Sequence, residues 1–477
     1  MKTLEVEFQQ EDVSMTATRD RRTTTDAPAS EEQRAGALSR EALGVFNQDF
    51  DARSANRIAQ NAVTRTSVDH ITLNRQVVNA TDHTFSTVLD DWKVTAQGQS
   101  GRCWAFAGMN LLRVGAKQKM HLREFEFSQT FILFWDKLER SNYFLEAIIE
   151  TAADPLDDRT VGFLLDRPLE DGGQWNMFVA LVQKHGLAPQ AAMPETQSSS
   201  ATRRMNQILN TTLRQGAQDL RTLQASGGGE EALRELKHEI LSAVHHILCI
   251  HLGTPPETFT WQWKDRDGEF HRDGEMTPQE FAAKYVTLPI DDYVCLVHDP
   301  RPGHALNKTY TVQYLGNVVG SKPVTYLNVD VDLMKSLARR SIEEGEPVWF
   351  GCDVGKMMHR DLGLWDANLY ALDELYGLDF ELDKPGRLLY HDTLMTHAML
   401  FTGVDAHGDD VRRWRVENSW GEKSGVKGYF TMNDNWFAEY VFEIATRKEL
   451  LPAELRSALE LEPIVLPAWD PMGALAR

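Results

Sequence analysis

One stretch decides the fold of this chain: Gln97-Gly98-Gln99-Ser100-Gly101-Arg102-Cys103-Trp104-Ala105-Phe106-Ala107. A glycine-containing turn brings a cysteine to the start of an apolar segment, where only Asn110 and Arg113 are clearly polar between Trp104 and Val114. This pattern predicts a largely buried helix that extends to about Met120. A cysteine at the beginning of a helix lies near the positive end of the helix dipole, which favours the thiolate over the thiol.

Two interpretations of Cys103 compete. A cysteine in apolar surroundings is usually an inert core residue. Gly101 and Arg102 just before it are not typical of a core, however, and Gln97 has no evident packing role. The Gln97 amide can turn back toward the sulfur as a hydrogen-bond donor. The stretch therefore indicates a nucleophile with an oxyanion donor beside it, provided that a base lies nearby.

Composition limits the functional classes. The chain has 477 residues, with 50 basic and 70 acidic side chains and a formal net charge of -20. Its length suits two to four domains or lobes. An acidic surface repels phosphate backbones and anionic lipid, so nucleic acid is not an expected partner. Four cysteines are too few for a disulfide scaffold, and the sequence shows neither a signal peptide nor a transmembrane run. We expect a cytoplasmic protein with no membrane partner.

Helix-type patterns dominate the first half of the chain and strand-type patterns the second. Residues 1–35 are polar and predict a flexible tail. The predicted elements are a helix capped by Ser39, helices over 55–63, 103–120, 128–138, 141–153 and 200–250 (with a break at 226–229), a hairpin over 259–270, a helix over 331–344 and a strand over 347–354. This order favours an α+β fold with two lobes.

A second hairpin carries a histidine. His397 lies within the predicted strand over 394–404, and the turn over 405–410 leads into a second strand that ends in Glu417-Asn418-Ser419-Trp420-Gly421. A lone histidine in mid-strand is more often a satisfied core residue than a catalytic one. If the strands pair, however, Asn418 falls near His397, and its oxygen can accept the imidazole N–H and leave the other nitrogen facing a thiolate. Trp420 would shield that hydrogen bond from water.

Together these motifs resemble the papain-like cysteine peptidases, and more closely their bleomycin hydrolase and aminopeptidase C branch. The resemblance extends from about residue 40 to the end of the chain. Besides the Gln97, Cys103, His397 and Asn418 segments, it includes Arg57-Ile58-Ala59-Gln60-Asn61-Ala62-Val63, Trp135-Asp136-Lys137-Leu138-Glu139-Arg140, Asp171-Gly172-Gly173-Gln174-Trp175 and the ending Leu466-Pro467-Ala468-Trp469-Asp470-Pro471-Met472-Gly473-Ala474-Leu475-Ala476. Ser100 stands where secreted members have a disulfide cysteine, which agrees with a cytosolic enzyme.

The resemblance implies a papain-like two-lobed fold, with a helical lobe, a β-sheet or barrel lobe and large insertions. Cys103 would be the nucleophile, His397 the base, Asn418 its orienting group and Gln97 the oxyanion donor. The separation of Cys103 from His397 far exceeds the roughly 130–150 residues of papain-like enzymes, so inserted material must lie between them. The expected division is a tail over 1–35, a helical lobe over 36–204, an inserted oligomerisation subdomain over 205–325, a β-rich lobe over 326–460 and a C-terminal arm over 461–477. In the family such insertions support a hexameric ring, so a homohexamer is expected.

Substrate binding involves the glycine pair and the C-terminus. Paired glycines often mark only a tight turn, but Gly172 and Gly173 also suit a place where a ligand backbone comes close. By resemblance they bind substrate, together with Trp420, and the arm lies in the active-site cleft. There the terminal carboxylate meets the free amino group of a peptide and makes the enzyme an aminopeptidase. Arg477 extends one residue past the family-like ending, so we hypothesise that self-processing removes it and leaves Ala476 as the terminus.

Three alternatives stay open from sequence. The constellation also suits an amide hydrolase or acyltransferase for non-peptide substrates, and a ring-forming binding or chaperone-like protein can retain the same fold. A metal protein is a weaker alternative, because His246, Cys249 and His251 match no standard zinc spacing. We expect no metal and no cofactor.

Overall fold

The computed structural model describes residues 36–89 and 92–476. These residues form two compact units. One comprises the described part of Met1–Ile71 with Leu375–Gly377, and the other comprises Thr72–Glu374 with the described part of Leu378–Arg477. The expected tail over 1–35 and Arg477 lie outside the described residues. The five-part division expected from the sequence stays a prediction.

Helices occur throughout the described chain and dominate its first half. Their bounds are α1 Arg40–Ala52, α2 Ser54–Val63, α3 Val68–Thr72, α4 Arg75–Ala80, α5 Cys103–Met120, α6 Gln129–Glu150, α7 Arg159–Asp166, α8 Trp175–His185, α9 Gln197–Ser200, α10 Arg203–Ala225, α11 Glu230–Leu252, α12 Pro278–Tyr285, α13 Val331–Glu343, α14 Leu372–Tyr376, α15 Lys384–Leu389, α16 Asp434–Tyr440 and α17 Ala453–Ala458. Across the described residues, none of them combines the length and apolar character needed to cross a bilayer.

Strands are concentrated in the second half, as the sequence predicts. Their bounds are β1 Thr87–Val88, β2 Phe259–Lys264, β3 Phe270–Met276, β4 Tyr293–Val297, β5 Lys308–Val312, β6 Tyr326–Asn328, β7 Val348–Cys352, β8 Met358–His359, β9 Leu364–Trp365, β10 His397–His407, β11 Asp410–Glu417, β12 Tyr429–Asn433, β13 Val441–Arg447 and β14 Ile464–Leu466. The predicted hairpin over 259–270 is confirmed, because β2 and β3 pair antiparallel.

In the first unit, α1 begins where the sequence predicts. The Ser39 hydroxyl accepts a hydrogen bond from the Ala42 amide at 3.1 Å, which satisfies one of the free amides at the start of the helix. Asp51 and Arg57 form an exposed ion pair at 3.0 Å across the junction with α2. Pairs as exposed as this one contribute little to stability.

In the second unit, one twelve-stranded sheet supports the site. Its strand order is β14-β5-β6-β4-β13-β7-β10-β11-β12-β9-β8, and β1 pairs with β10. Side chains alternate between the two faces, as strand geometry requires. Trp349 and Leu400 pack on the face that α5, α6 and α8 cover, whereas Phe350 and Phe401 pack on the face toward α13 and α16. The sheet therefore separates two cores, and both are buried.

The predicted histidine hairpin is confirmed, because β10 pairs antiparallel with β11 and Leu400 lies opposite Glu417. His397 nevertheless begins β10 instead of lying in mid-strand. The preceding residues bond elsewhere: the hydroxyls of Thr393 and Thr396 donate to Asp353 at 2.7 and 3.3 Å. These bonds tie the residues before His397 to the chain just after β7, and the imidazole stands at the start of β10.

The two helices predicted over 128–138 and 141–153 are one helix, α6. Ser141 indicated a new helix start in the sequence. In the structure it is buried, and its hydroxyl donates to the Lys137 carbonyl one turn earlier at 2.7 Å. A serine that bonds back in this way is accommodated inside a helix, so the signal for a break was wrong.

Candidate active site

Cys103 is the first residue of α5 and is completely buried. Arg102, which looked unlike a core residue in the sequence, is buried before it in an ion pair. Its guanidinium donates to Glu195 at 2.9 and 2.8 Å, and its Nε donates to Ser100 Oγ at 2.8 Å. Charge-assisted bonds of this bidentate kind fix orientation as well as position. The turn therefore holds the sulfur in place.

The two polar residues inside α5 bind the strand that leads to Asn418. Arg113 donates to Glu417 Oε1 at 2.6 Å, and Asn110 Nδ2 donates to the same oxygen at 3.0 Å. Burial raises the pKa of Glu417, while Arg113 opposes that rise. Because Glu417 directly precedes Asn418, this contact fixes the nucleophile helix relative to the end of β11.

Two opposing effects act on the pKa of the Cys103 thiol, and the one that the sequence predicts is the smaller. Backbone amides of Ala398, Trp104 and Cys103 itself lower the pKa of the thiol, as a position at a helix start predicts. Burial acts in the opposite direction and is the larger effect, so it raises the pKa to about 12. Burial thus disfavours the thiolate, and a neighbouring base assists its formation.

His397 and Asn418 lie within hydrogen-bond distance, with Nε2 and Oδ1 separated by 3.0 Å. The Ser419 amide also donates to that oxygen at 2.7 Å, which fixes the orientation of the Asn418 side chain. An oxygen acceptor requires a proton on Nε2, so in the neutral ring Nδ1 is the nitrogen that carries no proton. The next residue, Ala398, donates its amide to Cys103 Sγ at 3.4 Å, so the strand that begins at His397 contacts the nucleophile.

Trp420 and Gln97 complete the surroundings of this pair. The Trp420 ring lies 5.1 Å from the imidazole between centroids, where it covers the side of His397. The buried Gln97 amide is held at both ends: Oε1 accepts from Ser419 Oγ at 2.6 Å, and Nε2 donates to the Ser100 carbonyl at 2.5 Å. One N–H of a fixed amide thus stays available for an oxyanion.

Gly173 lies directly against Trp104. A Cβ at this position would stand 2.5 Å from atoms of the Trp104 ring, so a side chain cannot fit without displacing the indole. Gly172 offers its carbonyl to Arg140 at 2.8 Å. The glycine pair is therefore more than a tight turn, because it brings a backbone edge next to Trp104, the residue that follows the nucleophile.

Sequence reasoning missed the residue that organises this edge. Asp171 accepts hydrogen bonds from Lys137 Nζ at 2.6 Å, Asn206 Nδ2 at 2.7 Å and the Gly101 amide at 3.1 Å, and Thr202 also donates to it. Lys137 lowers the pKa of Asp171 well below its usual range despite burial. The carboxylate thus joins α6, α10 and the turn before Cys103. The only available signal was an acidic residue beside two glycines.

The C-terminal arm pairs with the same edge. The Gly173 amide donates to the Ala476 carbonyl at 3.0 Å, and the Ala476 amide donates to the Gly173 carbonyl at 3.3 Å. Gln174 Nε2 also donates to the Ala474 carbonyl. Ala476 is completely buried, and the arm borders a cavity of about 380 Å³. The structure thus brings Ala476 to Gly173, whereas Arg477 lies outside the described residues.

Two members of the metal alternative, Cys249 and His251, have separate neighbours. Cys249 Sγ lies 3.7 Å from His245 Nδ1, and His251 Nδ1 lies 2.8 Å from Ser198 Oγ. These contacts satisfy the side chains locally, in agreement with ordinary helix-surface roles.

Comparisons with known proteins agree with this geometry. Residues 37–473 match the Peptidase C1-like family. The chain is 43% identical over 450 residues to the bleomycin hydrolase of Homo sapiens, covering 92% of this chain and 99% of the relative. It is 40% identical over 442 residues to the aminopeptidase C of Lactobacillus delbrueckii subsp. lactis, covering 92% and 98%. The crystal structure of PepW from Lactobacillus rhamnosis HN001 superposes with a TM-score of 0.91 at 43% identity, covering 92% of this chain and all of that one.

Proposed function

Since this chain belongs to the Peptidase C1-like family and is a cysteine-type aminopeptidase, we propose that Cys103, His397 and Asn418 carry out its chemistry and that the C-terminal arm sets its specificity. The α+β, papain-like fold class predicted from the sequence is confirmed, as is the enzyme class. The substrates are peptides. The single observation that best supports the proposed specificity is the two-bond pairing of Ala476 with Gly173.

In the first half of the reaction, Nδ1 of His397 takes the proton from Cys103 Sγ, and the thiolate attacks the carbonyl carbon of the first peptide bond. The hydrogen bond from Nε2 to Asn418 keeps the ring in the required tautomer and stabilises the imidazolium. Because burial disfavours the thiolate, this proton transfer precedes or accompanies the attack. The imidazolium then protonates the departing amine, and a thioester to Cys103 remains.

The carbonyl oxygen carries the negative charge that develops during each attack. The Cys103 backbone amide and Gln97 Nε2 are the donors for this oxyanion. Since Ser419 and Ser100 hold the Gln97 amide before substrate arrives, little reorganisation is needed, which is the condition for efficient electrostatic stabilisation. In the second half, His397 takes a proton from water, and the hydroxide attacks the thioester carbon. The C–S bond then breaks, the cleaved residue leaves with a carboxyl group, and the Cys103 sulfur takes the proton back from His397.

The arm explains why such a site trims amino termini. Ala476 occupies both backbone bonds of Gly173, so an extended peptide cannot use the same edge while the arm is in place. A peptide can then bind only with its first residue between the arm and the nucleophile. A carboxylate at the end of the arm would pair with the free amino group of that residue. Trp104, stacked under Gly173, keeps the edge in position.

Removal of Arg477 fits this arrangement. Without Arg477, the terminal carboxylate would belong to Ala476, the residue that pairs with Gly173. We therefore retain the hypothesis that self-processing leaves Ala476 as the terminus. Intact mass spectrometry of purified enzyme and of the Cys103→Ala variant tests it. Loss of the mass of one arginine is expected only in the active enzyme, and an active enzyme that retains Arg477 refutes the hypothesis.

Two further expectations concern the protein as a whole. Its four cysteines are free thiols, which suits a reducing cytoplasm. The inserted segment over 205–325 presents exposed Ile250 and Phe270 and is the proposed contact region of a homohexamer. Light scattering after size-exclusion chromatography tests the assembly, and a monomeric active enzyme would contradict it.

Activity on an aminoacyl fluorogenic amide tests the nucleophile. Cys103→Ala abolishes the reaction if the proposal is correct. Cys249→Ala is the matched control, because that thiol is also free but only half-buried on α11, and it should retain wild-type turnover. Full activity in Cys103→Ala would contradict the assignment.

Deletion of residues 474–477 tests the arm. This variant should cleave an N-blocked peptide that the full chain leaves intact, because the edge of Gly173 becomes free. Unchanged discrimination between free and N-blocked peptides would remove the arm as the source of specificity.

A further inference from the structure

The C-terminal arm has a charged attachment point well before its tip. In the segment from Leu466 to Ala476, Asp470 is the sole ionisable side chain. Its Oδ1 accepts from the Met472 amide at 2.8 Å and so caps the short turn over Pro471–Gly473 that leads to the tip. The position of Asp470 therefore determines where the turn begins and how far the last residues reach.

Asp470 is bound by a buried arginine. Arg301 donates through Nη2 to Asp470 Oδ1 at 2.7 Å and through Nη1 to Asp470 Oδ2 at 3.3 Å. Its side chain is 6% exposed and that of Asp470 is 10% exposed. A bidentate pair shielded from water to this degree is geometrically specific, unlike the exposed pairs elsewhere on the molecule.

The arginine is positioned independently of the arm. Asp299 accepts from Arg301 Nε at 2.9 Å and from Nη2 at 2.6 Å, along the edge of the guanidinium adjacent to the one that binds Asp470. The backbone of Asp299 is itself held by Asn328 of β6, whose Oδ1 accepts from the Asp299 amide at 2.9 Å and whose Nδ2 donates to its carbonyl at 3.0 Å. The guanidinium is thus oriented before the arm docks, which lowers the entropy lost on docking.

Asp299, His304 and Asp470 also bring together ligand atoms of the kind that a divalent cation accepts. The Arg301 guanidinium already places a positive charge between the carboxylates of Asp299 and Asp470, and its Nη2 lies 3.3 Å from His304 Nε2. A metal ion there would face a fixed cation. The cluster therefore suits the attachment of a segment better than a metal site.

We propose that the Asp299–Arg301–Asp470 cluster is the attachment that fixes the arm in register with Gly173, and that Arg301 is a positioning residue for aminopeptidase specificity. The proposal rests on the proposed role of the arm. Beyond Asp470, the tip is held through the Gln174 bond to Ala474 and the two bonds between Gly173 and Ala476. Neutral bonds of this kind permit a shift by one residue, whereas a bidentate ion pair at the base of the turn does not.

Asp470→Asn is the first test variant, because asparagine can still cap the turn but no longer forms the bidentate ion pair. The readout is the ratio of kcat/KM for an N-blocked peptide to kcat/KM for the same peptide with a free amine. We expect this ratio to rise about 30-fold or more, since loss of one partner of a buried charge pair weakens docking by at least that factor. For the free peptide, KM should rise while kcat stays near the wild-type value, because the chemical residues are untouched.

Arg301→Met is the second variant, and Arg301→Lys should partly restore the wild-type ratio. Arg413→Met is the matched control: Arg413 is 10% exposed and donates to Asp405 at 3.0 and 2.7 Å, but it lies on β11 away from the arm. It should keep the wild-type ratio even if it lowers the melting temperature. If Arg301→Met does not fold, Asp470→Asn alone decides.

The deletion of residues 474–477 separates this proposal from the role of the arm itself. A raised ratio in the deletion, in Asp470→Asn and in Arg301→Met, with a wild-type ratio in Arg413→Met, supports the attachment. A raised ratio in the deletion alone overturns the attachment and leaves the arm's role intact. An unchanged ratio in the deletion overturns both.

Discussion

Asp171 offers a strong test of how the cleft is built, because one buried carboxylate joins three parts of the chain. The perturbation is Asp171→Asn, which keeps the shape of the side chain and removes its charge. Lys137 is fully buried and lies 2.6 Å from the carboxylate, while Asp171 itself is 11% exposed. The substitution therefore leaves an ammonium group in the interior without its counter-charge.

The expected loss of stability follows from that geometry. Breaking a buried ion pair from one side costs about 3–5 kcal/mol, because the remaining charge keeps its desolvation penalty. At neutral pH we expect the free energy of unfolding to fall by that amount. The pKa of Asp171 is lowered in the folded protein from an ordinary value of 3.8, so its stabilisation is present above that value and disappears as the pH falls below it. The variant and the wild type should thus converge in acid.

Activity should fall as well, because Asp171 holds the residues on both sides of Cys103. The Gly101 amide donates to its carboxylate at 3.1 Å, and the Trp104 indole donates to its backbone carbonyl at 2.7 Å. A displacement of the turn by about 1 Å would lower kcat/KM by about 10²-fold. The assay is urea unfolding from pH 8 down to about pH 2, which includes the range below 3.8 where the two proteins should converge, together with turnover of an aminoacyl amide at neutral pH.

Two further variants make the result specific. The double variant Lys137→Met/Asp171→Asn also removes the buried ammonium group that Asp171→Asn leaves unpaired, so it should recover part of the lost stability. Asp392→Asn breaks a half-exposed pair with Lys356 at 3.0 Å and should cost below about 1 kcal/mol. A loss below about 1 kcal/mol in Asp171→Asn, or no recovery in the double variant, would refute the reasoning.

Three other outcomes are expected. Glu443 is fully buried and burial raises its pKa from 4.5 to about 8, so the folded state takes up a proton and stability falls as the pH rises between these values, by up to about 1.4 kcal/mol per unit. Glu443→Gln should remove that slope in urea unfolding, and an unchanged slope would contradict the assignment. Asn418→Ala should lower kcat/KM by about 10²-fold or more with little change in KM, because His397 loses its fixed tautomer; equal turnover would exclude that role. Gly173→Ala should cost about 1–3 kcal/mol through its clash with Trp104 and weaken peptide binding, and a neutral melting temperature with wild-type KM would show that the edge can shift.

The sequence predicted those parts of the site whose signal is local. A cysteine after a glycine-containing turn at the start of an apolar helix is a pattern that short-range geometry produces. So is an asparagine at the end of a hairpin whose first strand carries a histidine. The α5 bounds and the β10–β11 pairing follow from them. His397 was placed in mid-strand because the side-chain bonds of Thr393 and Thr396 to Asp353 leave no periodic trace.

The residues that fix these parts in space could not be predicted, because their partners are distant along the chain. Arg113 read as an isolated polar residue on an apolar helix, yet its partner Glu417 lies on β11. Arg301 and Asp470 are likewise separated by most of the β-rich half. The direction of the pKa shift of Cys103 could not be predicted either. The lowering of the pKa by the start of the helix is a local effect, whereas the burial that outweighs it depends on the whole folded cleft.

The cleft is thus formed by two backbone segments that are anchored separately. Asp171 and Lys137 fix the edge that ends in Gly173, whereas Asp299 and Arg301 fix the base of the arm that ends in Ala476. Where the two segments meet, Gly173 and Ala476 share two neutral backbone hydrogen bonds, each of which contributes only about 1 kcal/mol. A buried ion pair in each segment fixes which residues lie opposite each other, although the contact between Gly173 and Ala476 is itself weak. This division accounts for a site in which the position of the arm is fixed while a peptide can still enter beside Cys103.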